Sequence, residues 1–256
     1  MYNQKIKSKI YITQKTAYLT GVIIGDGNLS NYVKSKRNDL SRDYAITIDT
    51  SDKEYSIFLL KLIKSIIKTK TTPKKPIQRG NGVPRLYLRI RNKELFTFLN
   101  QIMDIPKGAK SSKVFVPSRI KNPSEEIKKH FLAGYFDTDG GFIGNTIGFT
   151  TASKNLCEGV IGLLSDFHIW HSNEKWLNKK YNKEFYGMGI NKSQIDIFLS
   201  LFPLQNKEKL GRIYHKFECG GAGVAKRDRG FNNSSLLCHP SLGVLSKSNE
   251  QWNLLA

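Results

Sequence analysis

The chain has 256 residues, enough for one large domain or two modest ones with a real core. Its 41 Lys and Arg against 21 Asp and Glu leave a formal charge of +20 and a pI near 9.8, an imbalance that points to a polyanionic partner, most often nucleic acid. The three scattered cysteines (Cys157, Cys219 and Cys238) argue against a disulfide framework, the lysine-rich N-terminus shows no signal peptide, and no apolar run reaches the roughly 20 residues that span a bilayer.

The first element is an apolar helix from about Gln14, with Thr13 as its N-cap, ending in "LTGVIIGDGNLS" (Leu19 to Ser30). The next stretch, "NLSNYVKSK", alternates as a strand does, with Asn28, Ser30, Tyr32, Lys34 and Lys36 on one face. Ala45 to Ile66 reads as strand, turn and amphipathic helix. Lys68 to Lys75, "KTKTTPKK", is a basic loop suited to phosphate contact, and Arg79 extends the basic surface. In "RLYLRIR", Arg85, Tyr87, Arg89 and Arg91 share one face, and Leu86, Leu88 and Ile90 share the other. A strand-to-helix stretch ends the half at Leu99. Pro117 and Pro123 then mark a linker in "VPSRIKNPSEE" (Val116 to Glu126).

The order then repeats. Ser124 is the N-cap of a second apolar helix, with Glu125 and Glu126 complementing its dipole, and that helix ends in "FLAGYFDTDGGF" (Phe131 to Phe142). Ile147 to Phe167 matches Ala45 to Ile66, and Met188 to Leu199 matches Leu88 to Leu99. Each half therefore reads helix, strand, strand, helix, strand, strand, helix. The expected divisions are residues 1–120, 121–216 and a tail, 217–256, rich in Gly and Ser and without periodicity, read as flexible or loosely packed. His215, Cys219, Cys238 and His239 match no familiar zinc spacing.

The two helix ends carry the chemistry. Gly21 and Gly25 lie four apart on one helix face, and Gly134 and Thr138 hold the matching places, so two such helices can approach closely. Packed in parallel, they bring Asp26 and Asp139 together at their C-terminal ends. Carboxylates are disfavoured at a helix C-terminus and repel each other. A divalent cation held by the two aspartates and nearby carbonyls removes both problems, and such oxygen ligands suit Mg²⁺.

These motifs resemble those of the LAGLIDADG homing endonucleases in the single-chain form with two copies. The first copy reads Leu19-Thr20-Gly21-Val22-Ile23-Ile24-Gly25-Asp26-Gly27, and the second Leu132-Ala133-Gly134-Tyr135-Phe136-Asp137-Thr138-Asp139-Gly140. The resemblance spans roughly Gln14 to Lys216. It implies an α+β fold, a duplicated αββαββα unit whose two four-stranded antiparallel sheets form a pseudo-two-fold DNA-binding saddle around the motif helices. It implies Asp26 and Asp139 as metal ligands for Mg²⁺ or Mn²⁺, assisted by the carbonyls of Gly25 and Thr138. Ile24 departs from the motif at a variable position that Asp137 fills in the other copy.

The resemblance further implies a site-specific double-strand cut in a long pseudo-palindromic DNA target, leaving short 3′ overhangs. Basic residues stand near the attacking water in this family. By alignment of the strand-to-helix signals, Lys93 and Lys192 are the candidates, with Asn92 and Ser193 beside them; Thr50 or Ser51, and Thr151, fall where a polar water-orienting residue is common. Ser30, Tyr32, Lys34, Lys36, Arg79, Arg85, Tyr87, Arg89 and Arg91 are the expected DNA-binding set. The partner is double-stranded DNA, with intron RNA a weaker alternative. The chain is expected to act as a monomer in a prokaryotic cytoplasm or an organelle matrix. A competing reading keeps the fold for DNA or RNA binding without cutting, as in an intron maturase; both motif acids are present, which favours cutting. A whole intein is not expected, because the chain starts Met1-Tyr2 and ends Leu255-Ala256.

Overall fold

A computed structural model describes residues 9–33, 42–69, 85–180 and 182–219. The chain divides into residues 1–213 and 214–256. Everything that follows concerns the first unit, apart from the end of the last helix.

The first half runs α1 (Gln14–Gly25), β1 (Gly27–Val33), β2 (Arg42–Thr50), α2 (Lys53–Ile66), β3 (Leu86–Arg91) and α3 (Lys93–Thr97), which continues as a π-helical turn to Ile102. α4 (Ser118–Lys121) is a single turn inside the expected linker, anchored by buried Ile120. The second half runs α5 (Glu125–Asp139), β4 (Gly140–Ile143), β5 (Thr146–Thr151), α6 (Lys154–Asp166), β6 (His171–Asn178), β7 (Lys183–Ile190) and α7 (Ile195–Leu201). α8 (Lys207–Cys219) then follows. Among the described residues no helix is long and apolar enough to cross a membrane.

The caps explain where the helices start. Thr13 accepts at its hydroxyl from the Thr16 N–H (3.3 Å), and the Thr16 hydroxyl accepts from the Thr13 N–H (2.8 Å), a reciprocal cap for α1. Ser124 occupies the N-cap of α5 as expected, but its side chain makes no capping bond; its carbonyl receives the Ile127 and Lys128 N–H groups. α2 and α6 are capped alike, by Asp52 and Ser153.

Both sheets are antiparallel. The first has the order β1-β2-β3 among the described residues, and the second β4-β5-β7-β6. The fourth strand expected in the first half falls within residues 70–84, outside the described residues. Alternation sorts the faces as the sequence implies: Leu29, Ile46, Ile48, Leu88 and Ile90 are buried on the inner face. In the second half an aromatic cluster fills the same space, with Phe136 edge-on to Phe149 (5.4 Å) and to Phe198 (5.0 Å).

Candidate active site

α1 and α5 pack against each other more extensively than any other helix pair. A β-carbon on Gly21 would strike the Phe131 carbonyl, one on Gly134 the Tyr18 carbonyl, and one on Gly25 the Thr138 hydroxyl. Backbone therefore meets backbone along this seam, and only glycine permits that approach. Gly21 lies against Gly134 and Tyr135, and Gly25, one turn on, against Thr138 and Asp139, so the helices run side by side in the same sense. Their C-terminal ends coincide, as the small-residue spacing implies.

Asp26 and Asp139 stand at those ends. Two lysines that the alignment of strand-to-helix signals passed over complete the group. Lys110 Nζ donates to the carbonyls of Ile24 and Gly25, the latter at 2.6 Å. Lys209 Nζ donates to the carbonyls of Phe136 (2.8 Å), Thr138 (2.8 Å) and Gly140 (2.6 Å). Each motif helix thus has its orphan terminal carbonyls covered by an ammonium group, which also offsets the unfavourable carboxylate at that end.

The four charges act on one another. Burial raises the Asp26 carboxyl, against the pull of Lys209, Arg85 and Lys110. Asp139 reaches solvent, yet its surroundings push it up to about 6, through loss of water first and the Asp26 charge second. Burial lowers Lys110 and brings Lys209 down to about 8, with carboxylates opposing both shifts. Two carboxyls held above their ordinary range beside each other form a site that favours added positive charge.

The oxygen set suits a hard divalent cation: two carboxylates plus the carbonyls of Gly25 and Thr138, each of which accepts one lysine hydrogen bond and keeps a second lone pair. Among the described residues no three or more His, Cys, Asp or Glu are grouped so that they could hold a metal ion. A site here therefore consists of the two acids with carbonyl and solvent oxygens.

The other candidates lie elsewhere. β3 runs away from the acid end, from Leu86 opposite Thr50 to Arg91 opposite Ala45, so Lys93 follows the far end of the strand. It is exposed, with Nζ 5.7 Å from the Tyr44 ring centre. Lys192 is exposed beyond the corresponding end of β7, and neither lysine is among the charges that act on Asp26 or Asp139. Asn92 and Asn191 cap the helical turns that follow, and Ser193 bonds Asn191. Thr50 and Thr151 accept from the Asp52 and Ser153 N–H groups (3.2 and 3.1 Å), shaping the turns into α2 and α6. Ser51 is an exposed residue of the first of these turns.

The outer face of the first sheet carries Ser30, Tyr32, Arg85, Tyr87, Arg89 and Arg91 together, as the alternation implies. It is not purely basic. Asp43, only 4% exposed, accepts from Tyr32 (2.8 Å), Arg89 (3.2 Å) and Arg91 (3.1 Å), and Arg89 also donates to the Tyr32 hydroxyl. Burial opposes the Asp43 charge, but Tyr32 and the two arginines outweigh it and hold the carboxyl below its ordinary value. Arg85 lies 3.9 Å from Asp49. Lys34, Lys36, Arg79 and the Lys70 to Lys75 part of the basic loop lie outside the described residues. The second sheet presents Trp176 stacked on Phe185 (6.1 Å, 20°), an aromatic surface, while the Lys175–Glu184 pair (2.7 Å) lies on its opposite face, the side of α6.

Residues 126–203 match the model of the LAGLIDADG-like domain. Over 131 residues, 51% of this chain, it is 30% identical to the replication factor C small subunit of Methanocaldococcus jannaschii, a stretch that is 7% of that protein. The Thermococcus kodakarensis replication factor C small subunit is 34% identical over 107 residues, 41% of this chain and 12% of that protein. The chain thus spans a small fraction of the curated relatives it matches. Among solved structures, homing endonuclease I-DmoI in complex with DNA and Ca superposes with a TM-score of 0.57 at 20% identity, covering 80% of this chain and 98% of that one. Its complex with DNA and Mn gives 0.55 at 18% identity, over 75% and 97% of the two chains. Residues 126–203 are a LAGLIDADG-like domain, and the chain has the two-motif, single-chain fold of the LAGLIDADG homing endonucleases.

Proposed function

We propose that the protein is a site-specific endonuclease that cuts both strands of a long, pseudo-palindromic DNA target with Mg²⁺ or Mn²⁺, leaving short 3′ overhangs. The observation that carries this reading is the juxtaposition of Asp26 and Asp139, one per repeat, each at the end of a seam-forming helix and flanked by Lys110 or Lys209. A bound divalent cation supplies charge neutralisation at the scissile phosphate and a water nucleophile at neutral pH. The chain's own residues do the rest. Asp26 and Asp139 hold the cation. Lys110 and Lys209, fixed on helix-end carbonyls, place positive charge where phosphate charge develops, one for each strand. The two sheet faces enter the major groove, Arg89 and Arg91 on one side and the Trp176–Phe185 surface on the other. The DNA-bound state of I-DmoI, with Mn or Ca, supports duplex DNA as partner and a divalent cation as cofactor.

The test is selection of cleaved duplexes from a randomised pool in Mg²⁺ or Mn²⁺, followed by Asp26→Asn and Asp139→Asn on the recovered site. Binding without cutting by the unaltered protein overturns the nuclease reading. The small share of the curated relatives that is matched supports a second reading of context, in which the nuclease is a segment carried within a larger host protein. A continuous host reading frame across both genomic flanks decides for it, and an interrupted one decides for an intron.

A further inference from the structure

One motif residue is unused by the reaction as described. Asp137 is the acid of the second motif whose counterpart in the first is Ile24. It is 2% exposed and belongs to α5, yet it is held by three residues from two other parts of the chain. Its Oδ2 accepts from the Tyr18 hydroxyl of α1 (2.5 Å) and from the backbone N–H of Gln205 (2.6 Å). Its backbone carbonyl accepts from the Asn206 side-chain amide (3.1 Å). The other end of that amide group, Asn206 Oδ1, accepts from the N–H of Lys209 (2.9 Å), and the Asn206 carbonyl accepts from Leu210 (3.0 Å). Asn206 is therefore the cap from which α8 starts, and Asp137 holds that cap from both sides. Lys209 sits one turn in, 8% exposed, with Nζ folded back onto α5. Of the carboxylates that act on the Lys209 ammonium, Asp137 acts most strongly.

We propose that Asp137 is a positioning residue that fixes the start of α8 and so places Lys209 at the acid pair, governing the cut of one DNA strand and not of the other. The strand assignment rests on the nuclease reading above; the positioning does not. Among the described residues Lys110 has no equivalent support. Its counterpart position is apolar Ile24, and its loop is tied instead to β1 through the Gly108 N–H on the Leu29 carbonyl (2.8 Å). An acid at one motif and an aliphatic residue at the other thus correspond to two ways of holding one lysine.

The test has two readouts on the full chain. The first is brief acetylation with acetic anhydride and peptide mass spectrometry, taking the ratio of Lys209 to Lys110 modification. Asp137→Leu removes the acceptor, and Asn206→Ala attacks the same support from the far side. Both are expected to raise the ratio several-fold, with the shape-preserving Asp137→Asn between them and the unaltered protein. General loosening would raise both lysines together and leave the ratio unchanged, which overturns the proposal. The second readout is strand-resolved nicking of a supercoiled plasmid carrying the selected site. One strand is expected to slow by roughly tenfold or more, the range for losing an outer-sphere partner, so nicked circles accumulate. Equal slowing of both strands overturns the strand assignment. Failure of the unaltered protein to cut any duplex defeats the nuclease reading, while the labelling ratio still decides the positioning.

Discussion

The two halves share a backbone plan and a pair of charges, and differ in almost everything that supports them. In the first, Lys110 hangs from an irregular stretch tied to β1; in the second, Lys209 rides a capped helix anchored by Asp137. The first sheet faces outward with arginines ordered around Asp43, the second with a Trp176–Phe185 stack. What is common is what the proposed reaction requires: a carboxylate, an ammonium group and a helix end, brought to one point from each side. What differs only has to deliver those groups, and it is there that the repeats have diverged.

The largest test of that shared set is at the acids. Asp26→Asn or Asp139→Asn should lower double-strand cleavage by about a hundredfold or more, beyond the usual cost of an outer-sphere partner. DNA binding in Ca²⁺, followed by fluorescence anisotropy, should stay within a few-fold. Cleavage at near the original rate removes that residue from the site. Next come the lysines. Lys110→Met and Lys209→Met should each cost on the order of 10²-fold on opposite strands, the scale of one positioned acid, base or charge. Lys93→Ala and Lys192→Ala should leave strand-resolved rates within about twofold, as surface changes do. If Lys93→Ala proves as damaging as Lys110→Met, the geometry has been misjudged.

The seam should respond to volume alone. Gly134→Val should destabilise by about 1–3 kcal/mol or more through overpacking, read as a fall in the denaturant midpoint, because its side chain meets the Tyr18 backbone. The halves should also read DNA unequally. Arg89→Ala or Arg91→Ala should relax preference by roughly 1–3 kcal/mol at single base pairs of one half-site. Trp176→Ala should act only on the other half-site, where an aromatic surface favours thymine methyl groups. A library of single-base target variants separates these outcomes; uniform weakening at every position would make the arginines phosphate contacts.

The smallest effect is the pH dependence of stability. The Asp139 carboxyl titrates at about 6 when folded, above an unfolded value of about 3.9. Between those values the folded state binds more protons, so the metal-free protein should lose stability as pH rises through that window. A divalent cation should reverse the loss. The gain in Tm on adding Mg²⁺ should be larger at about pH 7.5 than at about pH 5, by calorimetry, and Asp139→Asn should flatten the difference.

Much of this was legible in the sequence because it rests on period and on residue size. Alternation in "RLYLRIR" sorted its faces correctly, and glycines four apart announced the helix seam. The lysines were harder to read. Lys110 lies among Lys107 and Lys113 with nothing local to distinguish it, and what selects it is a fold-back onto a helix end far away in the chain. Lys209 was more accessible: Asn206 as a cap, followed by Leu210, Ile213 and Phe217 at helical spacing, marks α8 as an ordered element. Asp43 was invisible as a partner of the arginines because cross-strand register, not sequence distance, brings it to them.

The hydrogen bond from Tyr18 to Asp137 crosses the seam and ties each half to the identity of the other. A first half with Tyr18 and Tyr55, whose hydroxyls lie 3.1 Å apart in the core, presents a phenol that needs an acceptor from across the boundary. Asp137 is that acceptor. Exchange of halves between chains of this fold would therefore succeed or fail on a match at these positions. Joined to a second half with an aliphatic residue at 137, this first half would bury its tyrosine pair without the carboxylate. A buried hydroxyl left without its acceptor costs stability, so the match between the halves is written in the interior, where the exposed strands do not show it.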